Sequence, residues 1–340
     1  MNHVVGMGLT FVLLGGVFQG SFTLPMKRMQ DWRWENTWLV YSIAGMVALP
    51  CLLVAATVPH PIEILKLTSA TVLVEIALFG FGWGVGSTLF GLGIDRVGMG
   101  LGFAIILGVT ASLGSLLPLV ILNPQRLLTT QGYGLIGGLI TVLGGIVLCS
   151  IAGGRRERAA AGLKQAGGSR FWIGLALCIA SGVFSPMLNF SFVFGRELQE
   201  LTLKFGARSQ MASNLVWALA LGAGFLANAG YCLYRLRKNG TWGVFGHASA
   251  PAAYWLGSFL MGFLWFAGIV VYGVGAAGLG ALGAIVGWPL FMAMIIITAN
   301  VWGALAGEWK GSPWTTYAYS WAGIALLLLA IGIISRGSPS

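Results

Sequence analysis

Residues 78–102 read LFGFGWGVGSTLFGLGIDRVGMGLG, nine glycines in 25 positions. Three G-xxx-G steps lie in the run: Gly80 to Gly84, Gly82 to Gly86 and Gly98 to Gly102. Residues four apart share one face of a helix, so each step offers a smooth strip on which another backbone can lie close. Dense glycine also occurs in phosphate-binding loops. Those need a preceding strand and a Lys-Ser/Thr step, and both are missing here. The run therefore predicts two closely packed helices joined by a turn at Ile94–Gly98, with Trp83 standing out from the smooth face.

The surrounding chain says where such helices live. Of 340 residues, 57% are hydrophobic and only 8% charged, with a mean hydropathy of +0.86. A soluble domain carries about 25% charged residues. The composition predicts an all-α polytopic membrane protein. The net charge of +10 does not indicate nucleic acid, because Lys and Arg sit in short loops between apolar runs. Cys51, Cys149, Cys178 and Cys232 fall inside apolar runs without metal-ligand spacing and read as small buried hydrophobes. The sequence calls for no metal and no cofactor. The N-terminal apolar run shows no cleavage site and reads as a retained first helix.

A helix needs roughly 20 apolar residues to cross the hydrocarbon core. Ten such runs occur, near 4–25, 37–58, 71–94, 98–121, 132–152, 171–194, 209–234, 252–274, 279–306 and 315–335. With the N-terminus outside, the inner loops hold 13 of the 19 Lys and Arg residues and the outer loops six. The positive-inside rule then favours both termini on the periplasmic side of a bacterial inner membrane. The longest polar connection, 153–170, reads GGRRERAAAGLKQAGGSR. It predicts a cytoplasmic linker between halves at 1–152 and 171–340.

The halves resemble each other. GLTFVLLGGVF (8–18) and GLALCIASGVF (174–184) share G-L, six residues, then G-V-F, at an offset of 166. Trp83, Gly91 and Gly93 recur as Trp265, Gly273 and Gly275 at an offset of 182. The 16 extra residues are expected around 196–210. Five spans is an odd number, so the second copy enters the membrane from the opposite side. That is the inverted repeat on which many secondary transporters are built.

FTLPMKRMQDWRWENTW (22–38) resembles the start of the bacterial L-rhamnose–proton symporters, with F-x-x-P-x-K-K/R followed by W-x-W-E-x-x-W. The glycine run is similar to that family's third and fourth spans. NAGYCLYRLRK (228–238) and GALAGEWK (303–310) also look like family segments. The resemblance covers nearly the whole chain. It implies the drug/metabolite transporter superfamily, with ten helices in two inverted five-helix repeats and a cavity lined by spans one, three, four, six, eight and nine. Two positions depart from the family pattern: Gly268 replaces a Gln in span eight, and Phe291 replaces a His in span nine.

A sugar transporter needs polar partners for hydroxyls and a flat apolar surface for the pyranose ring. Polar groups at membrane depth have partners or face a cavity. The cavity analogy selects Gln19, Ser87 and Asn189 for the polar role. Asn214 and Asn228 of span seven are expected to bond between helices. Trp83, Trp265 and Trp288 offer ring-sized platforms, and Tyr272 adds a hydroxyl. Trp32, Trp34, Trp38, Trp309 and Trp314 flank spans and read as interface anchors. Glu75 is the carboxylate clearly within a span, where partial desolvation favours taking up a proton. Lys27, Glu35 and Glu308 lie near the inner surface and are candidates for a gate.

The expected function is secondary active import of a monosaccharide, L-rhamnose or a related deoxyhexose or hexose. Proton symport drives it, by alternating access around a midplane site. The expected partners are the sugar, the proton and the lipid bilayer, and a monomer is compatible with the sequence. The alternative is an exporter of drugs, metabolites or amino acids on the same fold. No Walker motif is present to serve an ATP-driven pump. No cluster of acids or histidines marks an interfacial enzyme, so the reading is not an enzyme.

Overall fold

The computed structural model describes residues 3–29, 31–97, 99–122, 124–161, 169–246, 252–280, 283–307 and 309–336. Among them every regular element is helical. Ten helical segments are long and apolar enough to cross a membrane, from Val5–Met26 to Trp314–Ile334. In lipid each backbone N–H and C=O needs an internal partner, which a continuous helix supplies.

Span one is α1 (His3–Ser21). Span two is α2 (Trp34–Ser42) and α3 (Leu49–Thr57), joined by a π-helical stretch, Ile43–Ala48. Pro50 follows that stretch and lacks an N–H, so the wider turn lies where the regular ladder fails. A short α4 (Pro61–Leu67) leads to spans three, four and five: α5 (Ala70–Val97), α6 (Met99–Leu122) and α7 (Thr130–Ala161). Span six is broken at Ser185–Pro186 into α8 (Ser169–Phe184) and α9 (Met187–Phe194). After α10 (Arg196–Lys204), spans seven to ten are α11 (Asn214–Asn239), α12 (Ala252–Gly278), α13 (Gly283–Leu305) and α14 (Trp314–Arg336).

Three boundaries differ from expectation. The connection at 153–170 is helical as far as Ala161, because Ala and Arg continue the ladder of α7. Its residues 162–168 lie outside the described set. Span three runs on to Val97, where the Arg96 guanidinium donates to the Leu92 carbonyl at 2.7 Å. The turn expected at Ile94–Gly98 is thus helical through Val97, and Gly98 lies outside the described set. The 196–210 segment folds as α10 plus a short 3-10 turn, Ser209–Met211. The Glu197 carboxylate there accepts from Ser69 N–H at 2.7 Å and Ser69 Oγ at 2.8 Å, capping the start of α5.

Helix pairing comes in matched sets. Span one packs on spans eight and nine, and span six on spans three and four. Span three packs on seven as span eight packs on two. Spans two and seven, four and nine, and five and ten pack on each other. Residue contacts match as well. A Cβ on Gly275 would meet the Val12 nitrogen at 2.7 Å, and one on Gly93 would meet the Cys178 sulfur at 2.7 Å. A Cβ on Gly16 would meet Met294 Cβ at 2.6 Å and the Phe291 carbonyl at 3.0 Å. A Cβ on Gly182 would meet Val109 Cβ at 2.7 Å and the Ile106 carbonyl at 3.2 Å. Val12 and Cys178, like Gly16 and Gly182, are separated by the offset of 166 read from sequence, and Gly93 and Gly275 by 182.

The opening glycine run packs on two neighbours. Gly80 lies against Ala220 and Gly84 against Gly224, both on span seven. Gly82, Gly86 and Gly93 lie against Met187, Phe184 and Cys178 of span six. Large apolar side chains such as Leu52, Leu78, Trp172, Leu256 and Leu305 are exposed on the outside of the bundle, as lipid contact requires. Cys51 is exposed there too, unlike the buried Cys149, Cys178 and Cys232. The periodicity of span two cannot say which face of α3 turns outward.

Candidate functional site

The chain termini fall at one end of an antiparallel ten-span bundle and the 153–170 connection at the other. We call these the termini end and the linker end.

Trp83 of α5 and Trp265 of α12 stack near the centre, ring centroids 5.3 Å apart and planes at 28°. Trp265 is buried and Trp83 half-buried. Gln19, also buried, donates from Nε2 to the Trp265 carbonyl at 3.1 Å. It lies against Gly268, where a Cβ would come within 2.7 Å of Gln19 Cγ and 3.0 Å of the Gly15 carbonyl. A side chain at 268 would have to displace Gln19 or push span one away. Ser87 lies one turn along from Trp83 and donates to Asn228 Oδ1 at 3.4 Å. Four of the expected site residues, Gln19, Trp83, Ser87 and Trp265, are thus brought together.

Asn189, Tyr272 and Trp288 form a second group, toward the termini end. Tyr272 OH donates to Asn189 Oδ1 at 2.6 Å, and Asn189 Nδ2 donates to the Gly114 carbonyl at 3.0 Å. Pro118 explains that second bond: it lacks the N–H that Gly114 would otherwise receive four residues on, and Asn189 supplies one. The same logic acts at Pro186, which frees the Gly182 carbonyl for the Thr110 hydroxyl at 3.4 Å. Trp288 donates from Nε1 to the Thr110 carbonyl at 3.2 Å and packs edge-on to Tyr272 at 5.6 Å. Its indole lies hard against Gly114. Phe291 closes the group, 4.8 Å from the Tyr272 ring. All of these side chains are buried, Asn189 and Tyr272 completely.

At the linker end the corresponding positions are less buried. Gly273 is crowded, with a Cβ there meeting Trp217 Nε1 at 2.8 Å, whereas its sequence mate Gly91 is exposed with no described atom within 4 Å. Thr23, which stands 166 residues before Asn189, is exposed. Phe90, which stands 182 before Tyr272, is only half-buried.

The ionisable candidates separate. Glu75 is half-buried near the termini end of α5 and makes no hydrogen bond or ion pair among the described residues. Glu35 is 1% exposed at the start of α2. Its Oε1 accepts from Asn239 Nδ2 at 2.7 Å and Thr241 Oγ1 at 3.1 Å, and the Arg235 guanidinium acts on it electrostatically. Asn36 donates to the Thr241 carbonyl beside it at 3.0 Å. Glu35 thus fastens the turn after span seven to the start of span two. Lys27 lies in the 3-10 segment Leu24–Arg28, its side chain outside the described set, and Glu308 lies outside the described residues.

Two groups escaped the sequence reading. Trp38 is no interface anchor: its Nε1 donates to Asn228 Oδ1 at 3.1 Å, and its ring sits 4.8 Å from Tyr41 and 5.0 Å from Trp34. Trp32 and Trp309 are buried as well, Trp32 inside a ring of Phe245, Tyr254 and Trp255. Of the five flanking indoles only Trp314 is largely exposed. Asn228 does bond between helices as expected, but it is also the hub nearest to Trp83. The signal that would have found Trp38 is its spacing on the inward face of α2 with Tyr41.

Comparison with known proteins completes the picture. A family model described as L-rhamnose-proton symport protein (RhaT) matches residues 1–340. A Klebsiella pneumoniae protein named L-rhamnose-proton symporter is 28% identical over 350 residues, covering 100% of both chains. Relatives of the same name from Cronobacter sakazakii and Salmonella typhi are each 26% identical, over 99% and 100% of both chains. A solved crystal structure, 16% identical, covers 97% of each chain with a TM-score of 0.51 and shares the fold.

Proposed function

Because the chain belongs to the L-rhamnose-proton symport protein family, we propose that it imports L-rhamnose or a related monosaccharide together with a proton. It is a transporter and not an enzyme, as its family and relatives are. The observation that carries the substrate reading is the family match over the whole chain. The feature of the structure that suits it is a half-exposed indole, Trp83, backed by Trp265 and flanked by hydroxyl and amide groups. An aromatic face with convergent polar groups is how a small polar ring is held.

The transport mechanism proposed is alternating access between two inverted five-span repeats, 1–152 and 171–340. The matched contacts across offsets of 166 and 182 support the repeat. Two repeats with one sequence pattern can exchange conformations, so the closed form of one end foreshadows the closed form of the other. The reading is supported by the buried packing of Tyr272, Asn189 and Trp288 at the termini end and by the exposure of Gly91 and Thr23 at the linker end. With the basic linker end in the cytoplasm of a bacterial inner membrane, this conformation faces inward. Release of sugar and proton to the cytoplasm is the step that it serves, and Glu75 near the opposite face is the proposed proton carrier.

The test is uptake of labelled L-rhamnose into proteoliposomes under an imposed pH gradient, acid outside. Accumulation above the external concentration, collapsed by a protonophore, is expected. Absence of gradient-driven uptake and of exchange for every monosaccharide in a panel would remove the sugar reading and leave an exporter on the same fold.

A further inference from the structure

We infer that Asn228 of span seven, joined by Trp38 of span two, is the polar anchor of the sugar site, an assignment that rests on the monosaccharide reading above. Three helices bring complementary chemistry to one point. The Trp83 ring lies over Gly224, where a Cβ would come within 2.8 Å of Trp83 Cε3, and Asn228 follows one turn later on the same helix. Its Oδ1 accepts from Trp38 Nε1 at 3.1 Å and from Ser87 Oγ at 3.4 Å. Its Nδ2 donates to the Gly224 carbonyl at 3.2 Å and the Gly84 carbonyl at 3.4 Å. Trp38, Trp83 and Ser87 around the buried amide are all half-buried, and none of them is sealed in.

The bonds of Asn228 are ones that a ligand can replace. Two of the four stand at 3.4 Å, the long limit of a hydrogen bond. Both carbonyl acceptors lie within helices whose own ladder supplies an N–H, and no proline follows four residues after Gly84 or Gly224. Turning Nδ2 toward a ligand therefore leaves no orphan acceptor. A carboxamide presents one donor and one acceptor side by side, which matches two adjacent sugar hydroxyls. As they bind, the Ser87 hydroxyl and the Trp38 indole N–H are released to meet further oxygens, and the apolar face of the sugar ring lies on Trp83. Asn189 offers the opposite case. Its bonds are 2.6 and 3.0 Å, and one covers the carbonyl that Pro118 leaves bare, so its amide is committed to the fold. Asn214 and Asn300 are engaged elsewhere, with Thr57 Oγ1 at 2.9 Å and with the Ile296 carbonyl of its own helix at 2.9 Å.

The experiment is entrance counterflow of L-rhamnose in proteoliposomes, comparing wild type, Asn228→Ala and Ser87→Ala at matched reconstituted amounts. Counterflow needs no net proton movement, so it reads the sugar site alone. Asn228→Ala is expected to raise the half-saturation concentration about tenfold, in keeping with loss of a paired polar contact, with the maximum rate within twofold of wild type. Ser87→Ala, a small change on a half-buried side chain, is expected to shift half-saturation about threefold in either direction and to alter the ranking of epimers. If Asn228→Ala folds and its half-saturation is unchanged, the assignment is overturned. If Asn228→Ala cannot be recovered folded, Ser87→Ala decides: an unchanged half-saturation and epimer ranking overturn it. A wild type that exchanges no monosaccharide overturns the sugar reading itself, and the assignment with it.

Discussion

Trp83 and Trp265 are stacked 5.3 Å apart, and they are also sequence mates, 182 residues apart like the glycines that follow each of them. On the proposed inverted repeat, mates of this kind touch where the two copies meet, and the stack would mark that place. Spans two and seven, four and nine, and five and ten also pack on each other.

Trp83→Leu is expected to lower L-rhamnose counterflow at least about tenfold at equal reconstituted protein, because a branched alkyl group offers no flat face. Trp83→Phe, which keeps a smaller ring, is expected to stay within a few-fold of wild type. Equal activity of the Leu and Phe variants would exclude ring stacking at this position.

The glycines of the opening run are not equivalent. A Cβ on Gly84 would collide with the Gly224 carbonyl and lie 2.8 Å from its Cα, both backbone atoms with no freedom to yield. Gly91 has open space. Gly84→Leu is expected to abolish transport while protein remains detectable in the membrane, and Gly91→Ala to transport at a rate near wild type. Transport by Gly84→Leu would show that spans three and seven need not pack so closely.

That contrast shows what was legible in the sequence. Span count and close helix contact at the glycines follow from runs of composition and from four-residue spacing, which survive any rotation of a helix about its axis. The offsets of 166 and 182 were legible for the same reason. The partner was not, since the steps of span three meet spans six and seven and not the span four expected from the sequence. Direction is a different matter. Trp38 and Trp314 both flank spans, yet one points inward onto Asn228 and the other is exposed. The partner surface decides that, and it is supplied by helices nearly 200 residues away. Asn189 is a candidate sugar contact in the sequence until Pro118, on another helix, is seen to leave Gly114 in need of a donor.

On the proposed mechanism the Tyr272 hydroxyl helps to hold the termini end closed, through its bond to Asn189. Tyr272→Phe removes the 2.6 Å bond to Asn189 and leaves the ring packing intact. A hydrogen bond of this kind contributes about 0.5–1.5 kcal/mol net, so the open-to-closed ratio at that end is expected to rise about two- to tenfold. In a chain whose native cysteines are replaced, Val286→Cys reports this. Val286 is buried two residues before Trp288. A membrane-impermeant maleimide applied from the termini side is expected to label it faster when Tyr272→Phe is present. Equal labelling would mean that the bond does not hold the end shut.

Glu35 is expected to matter to stability before transport. Glu35→Ala leaves the exposed Asn239 amide and the buried Thr241 hydroxyl without their acceptor, and the buried hydroxyl alone carries a cost of about 1–3 kcal/mol. Glu35→Gln keeps an oxygen in place. The Ala variant is expected to melt at lower temperature than the Gln variant in detergent. If the order is reversed, these bonds do not hold the linker end together.

Glu75 carries the prediction about coupling. It is half-buried, free of any described partner and placed at the termini end, through which protons enter on the proposed orientation. Glu35, by contrast, is held by two short bonds at the other end. A carboxylate that exchanges protons in each cycle is poorly served by donors that favour its charged form, as those of Glu35 do. Glu75→Gln, which keeps shape and removes the ionisation, is therefore expected to abolish accumulation driven by a pH gradient while counterflow continues near the wild-type rate. Sugar-induced alkalinisation of a weakly buffered external medium is expected to vanish with it. If accumulation and alkalinisation both persist, Glu75 does not carry the proton. Loss of counterflow as well would place it in the sugar path or the fold instead of in coupling.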